Sequence, residues 1–210
     1  MLLYLARHAE TTWNLAGRYQ GRRESALSAR GIRQGSVFAD ALAAVQPPVA
    51  RVIASPLLRT RATALFVAER LNLPLETDDD LIEIEHGIWN CRLREEIAAN
   101  DPELYRTWRE RPAAVAFPDG EALTDVLARW RSFRRGFEPR VPTLVVTHDA
   151  VVRVALCDVL ERPLDDFWKM KVDNAGYAII DVNGDRWTLV EQNVNAHLAD
   201  LRTSTTHQAL

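Results

Sequence analysis

Cysteine is nearly absent: Cys91 and Cys157 are the only two in 210 residues. Two cysteines so far apart exclude a disulfide framework and a thiolate metal centre, and a reduced, cytoplasmic setting is the expectation that follows. Long apolar runs are missing as well. No stretch approaches the roughly 20 residues that cross a bilayer, and the apolar start, Leu2-Leu3-Tyr4-Leu5-Ala6, is far shorter than a signal-peptide core. No repeat, low-complexity tract or Pro/Gly-rich linker divides the chain. One domain over residues 1–201 is therefore expected, followed by a polar tail at 202–210 that should fray. Neither sign of charge dominates. The formal net charge of −3 gives no general attraction to nucleic acid or to an anionic membrane. Lysine is scarce too: Lys169 and Lys171 stand alone, and arginine supplies every other cationic side chain. A phosphorylated ligand would have to be held in a local pocket, by arginine forks.

What is present begins at the first residues. The run from Leu2 to Ala6 lacks alternation, as a strand buried on both faces of a parallel sheet does. It stops at Arg7-His8-Ala9-Glu10-Thr11-Thr12-Trp13-Asn14. Ligands of open α/β sheets gather beyond the carboxyl ends of strands, and this pair suits phosphate chemistry there. A guanidinium can grip two phosphoryl oxygens, and a neutral imidazole nitrogen can attack phosphorus and carry the phosphoryl group. An Arg-His pair alone says little, because most histidines after strands cap or pack.

Further along, Ser28 is placed to cap a helix over roughly 29–45, with Ile32, Phe38, Leu42 and Val45 inward. Residues 49–54 form a second apolar strand. Ser55-Pro56 reads as an N-cap followed by proline at the first helical position, starting a helix that runs to Leu71 with Leu58, Ala62, Leu65, Phe66 and Leu71 inward. Arg59 falls in its first turn, where the dipole disfavours a cation and an anionic partner would explain it. Residues 73–77 suit a short edge strand. From about 92 to 118 the chain is charged and aromatic, which predicts a helical insertion over the site that selects substrate and excludes water. The next helix follows Asp119-Gly120, with Leu123, Val126, Leu127, Trp130 and Phe133 on one face and Arg129, Arg131, Arg134 and Arg135 on the solvated side. Residues 142–148 repeat the first pattern, a buried strand ending in His148. Asp149 opens the helix after it, and Asn183-Gly184 marks an antiparallel hairpin at the sheet edge.

Together these stretches resemble the histidine phosphatase superfamily, the phosphoglycerate-mutase-like proteins. That family's Arg-His-Gly with a following Trp-Asn matches Arg7-His8-Ala9 and Trp13-Asn14, with alanine in place of glycine. Its Gln-Gly and later Leu-Thr-x-x-Gly match Gln20-Gly21 and Leu27-Ser28-Ala29-Arg30-Gly31, followed by Gln34. Its Ser-x-x-x-Arg-Thr matches Ser55 to Thr60. Its acid loop, Leu-x-Glu and then Gly-x-Trp-Glu-Gly, matches Leu81, Glu83, Gly87 and Trp89 but departs at Asn90-Cys91. Its Ser-His-Gly-Gly matches Thr147-His148-Asp149-Ala150, where Asp149 is the sharpest departure.

The resemblance implies a three-layer α/β/α sandwich with a mostly parallel central sheet and one antiparallel edge hairpin. It implies a phosphomonoester hydrolase that needs no metal and no cofactor and acts on a small phosphorylated metabolite. His8 would be the nucleophile, with Arg7, Arg59 and His148 holding phosphoryl oxygens and Glu83 acting as acid and base. Asn14, Gln20 and Gly21 would contact substrate. Asp149 would repel a phosphate, so it would face a cationic or hydroxyl-bearing part of the substrate instead. A phosphoglycerate-type mutase and a catalytically silent phospholigand binder are the alternative readings, no nucleic-acid or membrane partner is expected, and a homodimer is left open.

Overall fold

The computed structural model describes residues 1–203 and 208–209. In chain order the elements are β1 (Leu2–Arg7), α1 (Thr12–Ala16), α2 (Ala29–Ala43), β2 (Arg51–Ala54), α3 (Leu58–Leu71) and β3 (Leu75–Thr77). Two helices of the insertion follow, α4 (Arg94–Asn100) and α5 (Pro102–Glu110). The chain then forms α6 (Leu123–Gly136), β4 (Thr143–Thr147), α7 (Asp149–Val159) and the hairpin β5 (Tyr177–Asn183) and β6 (Arg186–Val194). The six strands lie in the order β3-β2-β4-β1-β5-β6. β1 to β4 run parallel, while β5 and β6 join antiparallel, as the hairpin signal predicts.

Buried strands with no alternation need covers on both faces, and they have them. Leu3, Leu5, Ile53 and Val145 face Trp130, Phe133, Val152 and Leu156 of α6 and α7. Their neighbours Tyr4, Ala6, Val52 and Val146 face Phe38, Leu42, Ala64 and Val67 of α2 and α3. The sandwich therefore has three layers. A third cluster joins the insertion to α6 and α7 through Trp89, Trp108, Phe117 and Val151.

Register decides what meets at the upper edge. Arg7 pairs with Thr147 across β1 and β4, and Ala54 pairs with Val146 across β2 and β4. The next residues continue the ladder: the His8 amide donates to Thr147 O at 2.9 Å and the Ser55 amide to Val146 O at 3.0 Å. Three strands thus end level, delivering His8, Ser55 and His148 to one edge.

Several expectations need correction. Ser28 does cap α2, accepting from the Gly31 amide at 2.9 Å, but Ile32 is 53% exposed. Ser55 does not cap α3, which starts at Leu58 with Leu57 as its N-cap and no side-chain cap. The inward face of α3 is Arg59, Thr60, Thr63, Ala64, Val67 and Ala68, while Leu58 and Leu65 are exposed. α2 packs closely on α3, and Gly35 makes room for the Phe66 ring, which a Cβ there would meet at 2.4 Å. Arg129 and Arg134 are not simply solvated. Arg129 bridges Glu121 and the carbonyls of Asp80 and Ile82, and Arg134 holds Asp158 and stacks over Trp187. In the tail, residues 204–207 and 210 lie outside the described residues; Gln208 and Ala209 are buried.

Candidate active site

Arg7 leaves β1 with its side chain fully buried. Its Nη1 donates to Val172 O at 3.1 Å and its Nη2 to Gln208 Oε1 at 2.5 Å. Asp149 Oδ1 lies 3.1 Å from Nη1. Arg59, equally buried, donates from Nη1 to Arg23 O and from Nη2 to Gly21 O, at 2.9 and 2.7 Å. Each guanidinium keeps one buried N–H, its Nε, without a partner. Burial depresses both arginines, Arg59 to about 10, which still leaves Arg59 charged at neutral pH. Two cations fixed from behind, each with a spare donor, form a seat for an anion.

His8 lines the same cavity as both arginines. Its Nδ1 lies 2.7 Å from Ala9 O. A carbonyl only accepts, so Nδ1 carries the proton and Nε2 keeps its lone pair. Burial, reinforced by Arg59 and Arg7, pushes the ring well below the ordinary histidine range, so the imidazole is neutral at neutral pH. Ala9 in place of glycine costs nothing here. Its backbone is not in the left-handed region, and its amide is satisfied by Thr63 Oγ1 at 3.0 Å. The His148 ring meets His8 edge-on, with centroids 5.4 Å apart. Its Nε2 is 2.8 Å from Ser55 Oγ, which is where the serine expected to cap α3 is used. With the Ser55 hydroxyl donating, the buried and unpartnered Nδ1 of His148 becomes an N–H donor.

Glu83 comes from the loop after β3. Its Oε1 accepts from the Ile84 amide at 3.0 Å. Burial raises its pKa to about 7; Arg59 opposes the rise and Asp149 adds to it. Glu85, the competing carboxylate, is committed to the loop itself. It accepts from the Gly87 amide at 3.1 Å and from Asn90 Nδ2, so the departure at Asn90 supplies a clamp for Glu85. Gly87 sits at φ +55°, and a Cβ there would fall 1.8 Å from Pro118 O. Gly87→Ala should therefore destabilise the fold by roughly 2–4 kcal/mol, read as a lowered midpoint in urea. An unchanged midpoint would show that the loop has another accessible conformation.

One small cavity collects these groups. Arg7, His8, Arg59 and Glu83 line it together with Asn14, Gln20, Gly21 and Asp149. Of the residues the sequence nominates, His148 alone does not line the wall and reaches it only through His8. The remaining wall is His86, Trp108, Ala150, Phe167 and Ala209, of which the sequence anticipates only Trp108, as part of the insertion. Trp108 comes from the predicted insertion, which roofs the cavity. His86 is 5% exposed with both ring nitrogens unpartnered, packed edge-on to Tyr19 and Phe117. Burial lowers its pKa to about 3, so it is neutral. Its position between Glu85 and Gly87 in the acid loop was the only signal for it. Among the described residues, no group of His, Cys, Asp and Glu has the arrangement to hold a metal ion, and no helix is long and apolar enough to cross a membrane.

Comparison with known proteins gives three kinds of match. The family model of the histidine phosphatase superfamily (branch 1) covers residues 3–195. Phosphoserine phosphatase 1 of Hydrogenobacter thermophilus is 38% identical over 201 residues, 94% of each chain. Adenosylcobalamin/alpha-ribazole phosphatase of Salmonella typhimurium is 30% identical over 87% of this chain and 91% of its own. Among solved structures, Bacillus stearothermophilus YhfR superposes with a TM-score of 0.86 at 28% identity, covering 94% of this chain and 98% of its own.

Proposed function

Because the chain belongs to the histidine phosphatase superfamily, we propose that it is a phosphomonoester hydrolase that works through a phosphohistidine on His8. The observation that carries this reading is the His8 tautomer: Nδ1–H is tied to Ala9 O, leaving Nε2 free beside two buried arginines with spare Nε donors. Nε2 attacks phosphorus and the P–O ester bond breaks. The leaving oxygen takes the proton of Glu83, which the raised pKa of about 7 keeps available near neutrality. Glu83, now a carboxylate, removes a proton from water. The water oxygen attacks phosphorus, the P–N bond breaks and its electron pair returns to Nε2. Arg7 and Arg59 stabilise charge on the transferring oxygens, and His148, packed edge-on against His8 and tied to Ser55, holds the His8 ring in place.

The substrate is a small phosphorylated metabolite, and the named activity of the relative that is 38% identical makes phosphoserine the first one to try. Residues 1–201 act as one domain in this reading, with the insertion at 92–118 as its roof. The two free thiols go with a cytoplasmic setting, and a homodimer would leave the site intact, since the seat is built within one chain.

The test is release of inorganic phosphate from p-nitrophenyl phosphate and from a phosphomonoester panel that includes phosphoserine, after exhaustive chelation. Turnover should persist, because Arg7 and Arg59 supply the charge that a divalent ion supplies in metal-assisted hydrolysis. Loss on chelation with rescue by a divalent cation would overturn the reading. So would phosphoryl transfer that strictly requires added bisphosphoglycerate.

A further inference from the structure

Asp149 stands where the family resemblance leads one to expect glycine, and its surroundings do not use it up. As the first residue of α7 it suits the positive end of the helix dipole, but that would hold equally for an exposed side chain. Here the carboxylate is 3% exposed and lines the same cavity as His8 and Glu83. Its Oδ2 accepts from Arg153 Nε at 2.7 Å. Its Oδ1 lies 3.1 Å from Arg7 Nη1, an ion pair not aligned as a hydrogen bond, while Nη1 donates to Val172 O, so Oδ1 receives no hydrogen bond. Two arginines account for the carboxylate's charge. They do not account for an acceptor oxygen left without a donor in the wall of a cavity, an exception that calls for an explanation.

The phosphoryl group cannot supply that donor. Its oxygens are acceptors at neutral pH and would repel Asp149. The Glu83 proton is committed to the ester oxygen. The other walls are apolar or neutral: Trp108, Phe167 and the His86 ring. Glu83 is the one other acidic group lining the cavity among the described residues, and it is protonated when the ester binds productively. The wall's own donors, the Asn14 and Gln20 amides and the His86 ring, leave Oδ1 without a hydrogen bond, and a donor carried by the leaving group would supply it.

We propose that Asp149 is a specificity-determining residue: its Oδ1 accepts a hydrogen bond from a donor on the leaving group of the phosphomonoester, a protonated amine above all and a hydroxyl more weakly. The inference rests on the phosphatase reading and adds to it the class of ester selected. An amine ranks first because charge-assisted hydrogen bonds are roughly twice as strong as neutral ones.

The experiment compares kcat/KM for 2-aminoethyl, 2-hydroxyethyl and propyl phosphate in the wild-type protein and in Asp149→Asn, with p-nitrophenyl phosphate as the general substrate. Intrinsic leaving-group differences cancel when each ratio is compared between the two proteins. The substitution should lower the aminoethyl-to-propyl ratio by about 10–100-fold and the hydroxyethyl-to-propyl ratio by less. Asp149 also touches Arg7, so a drop common to all esters is expected on top of the ratio change. A common drop with unchanged ratios would overturn the proposal and leave Asp149 as a support for Arg7 alone.

If Asp149→Asn fails to fold, the wild-type protein decides by itself. 2-Aminoethylphosphonate should inhibit p-nitrophenyl phosphate hydrolysis at a concentration about 10-fold or more below that of propylphosphonate, and equal or weaker inhibition would overturn the proposal. Failure of the phosphatase reading is distinguishable, because then no ester, p-nitrophenyl phosphate included, releases phosphate.

Discussion

His8→Ala should lose at least about 10⁴-fold in turnover, because the proposed mechanism runs through His8 as nucleophile and the substitution removes the whole covalent route. The loss should not come from the fold. The His8 side chain makes one local hydrogen bond, to Ala9 O, while the amide that holds the strand end, donating to Thr147 O, survives the substitution. A neutral imidazole packed against His148 in a cavity shared with two arginines is held for chemistry at some cost in stability, so the urea midpoint of the variant should equal or exceed that of the wild type. The covalent step can be read directly. Brief exposure of the wild-type protein to a labelled phosphomonoester, quenched in alkali, should trap an acid-labile phosphoryl group on His8, and the variant should trap none. Near wild-type turnover in His8→Ala, or label on another residue, would remove the proposed mechanism.

The part of this site that could be read in the sequence is the part that sits where buried strands end. The runs 2–6 and 143–147 are apolar because both faces are covered, and the abrupt change to Arg7-His8 and to His148-Asp149 marks the edge of the sheet. What the chain does not carry locally is register. Nothing near Arg7 says that it pairs with Thr147, which is the fact that sets His8 beside His148. Ser55 shows the limit of local rules in another way. It satisfies every requirement of an N-cap, but its hydroxyl is within reach of His148 and is used there. The large apolar residues Ile32, Leu58 and Leu65 fit a helical period yet stay exposed, since α2 turns Phe38, Ala39 and Leu42 inward and α3 turns Thr63, Ala64, Val67 and Ala68. Gln208 was beyond reach altogether. Its bond to Arg7 spans 201 positions and has no local pattern to announce it.

Glu83 and Glu85 are two residues apart, and only Glu83 faces the cavity. A general acid matters most when the leaving group is poor. Glu83→Gln should therefore slow hydrolysis of an alkyl phosphate by about 10²–10⁴-fold, whereas the phosphorylation step with p-nitrophenyl phosphate, whose leaving group is already acidic, should suffer far less. Because the proposed mechanism also makes Glu83 the base for the water step, the variant should accumulate phosphohistidine on the aryl substrate, visible as a burst of nitrophenol. Glu85→Gln should show neither the selective loss nor the burst; it should loosen the loop by freeing the Gly87 amide and Asn90. The pH dependence carries the same assignment. Burial raises Glu83 to about 7, and the donating form is the protonated one. The phosphorylation rate with an alkyl phosphate should thus be highest below pH 7 and fall as pH rises through it. The dephosphorylation step, which needs the carboxylate, should rise over the same interval. Glu83→Gln should abolish both limbs at once. If the limbs persist in that variant and vanish in Glu85→Gln, the acid is Glu85 and the loop acts in a conformation different from the one in which Asn90 clamps it.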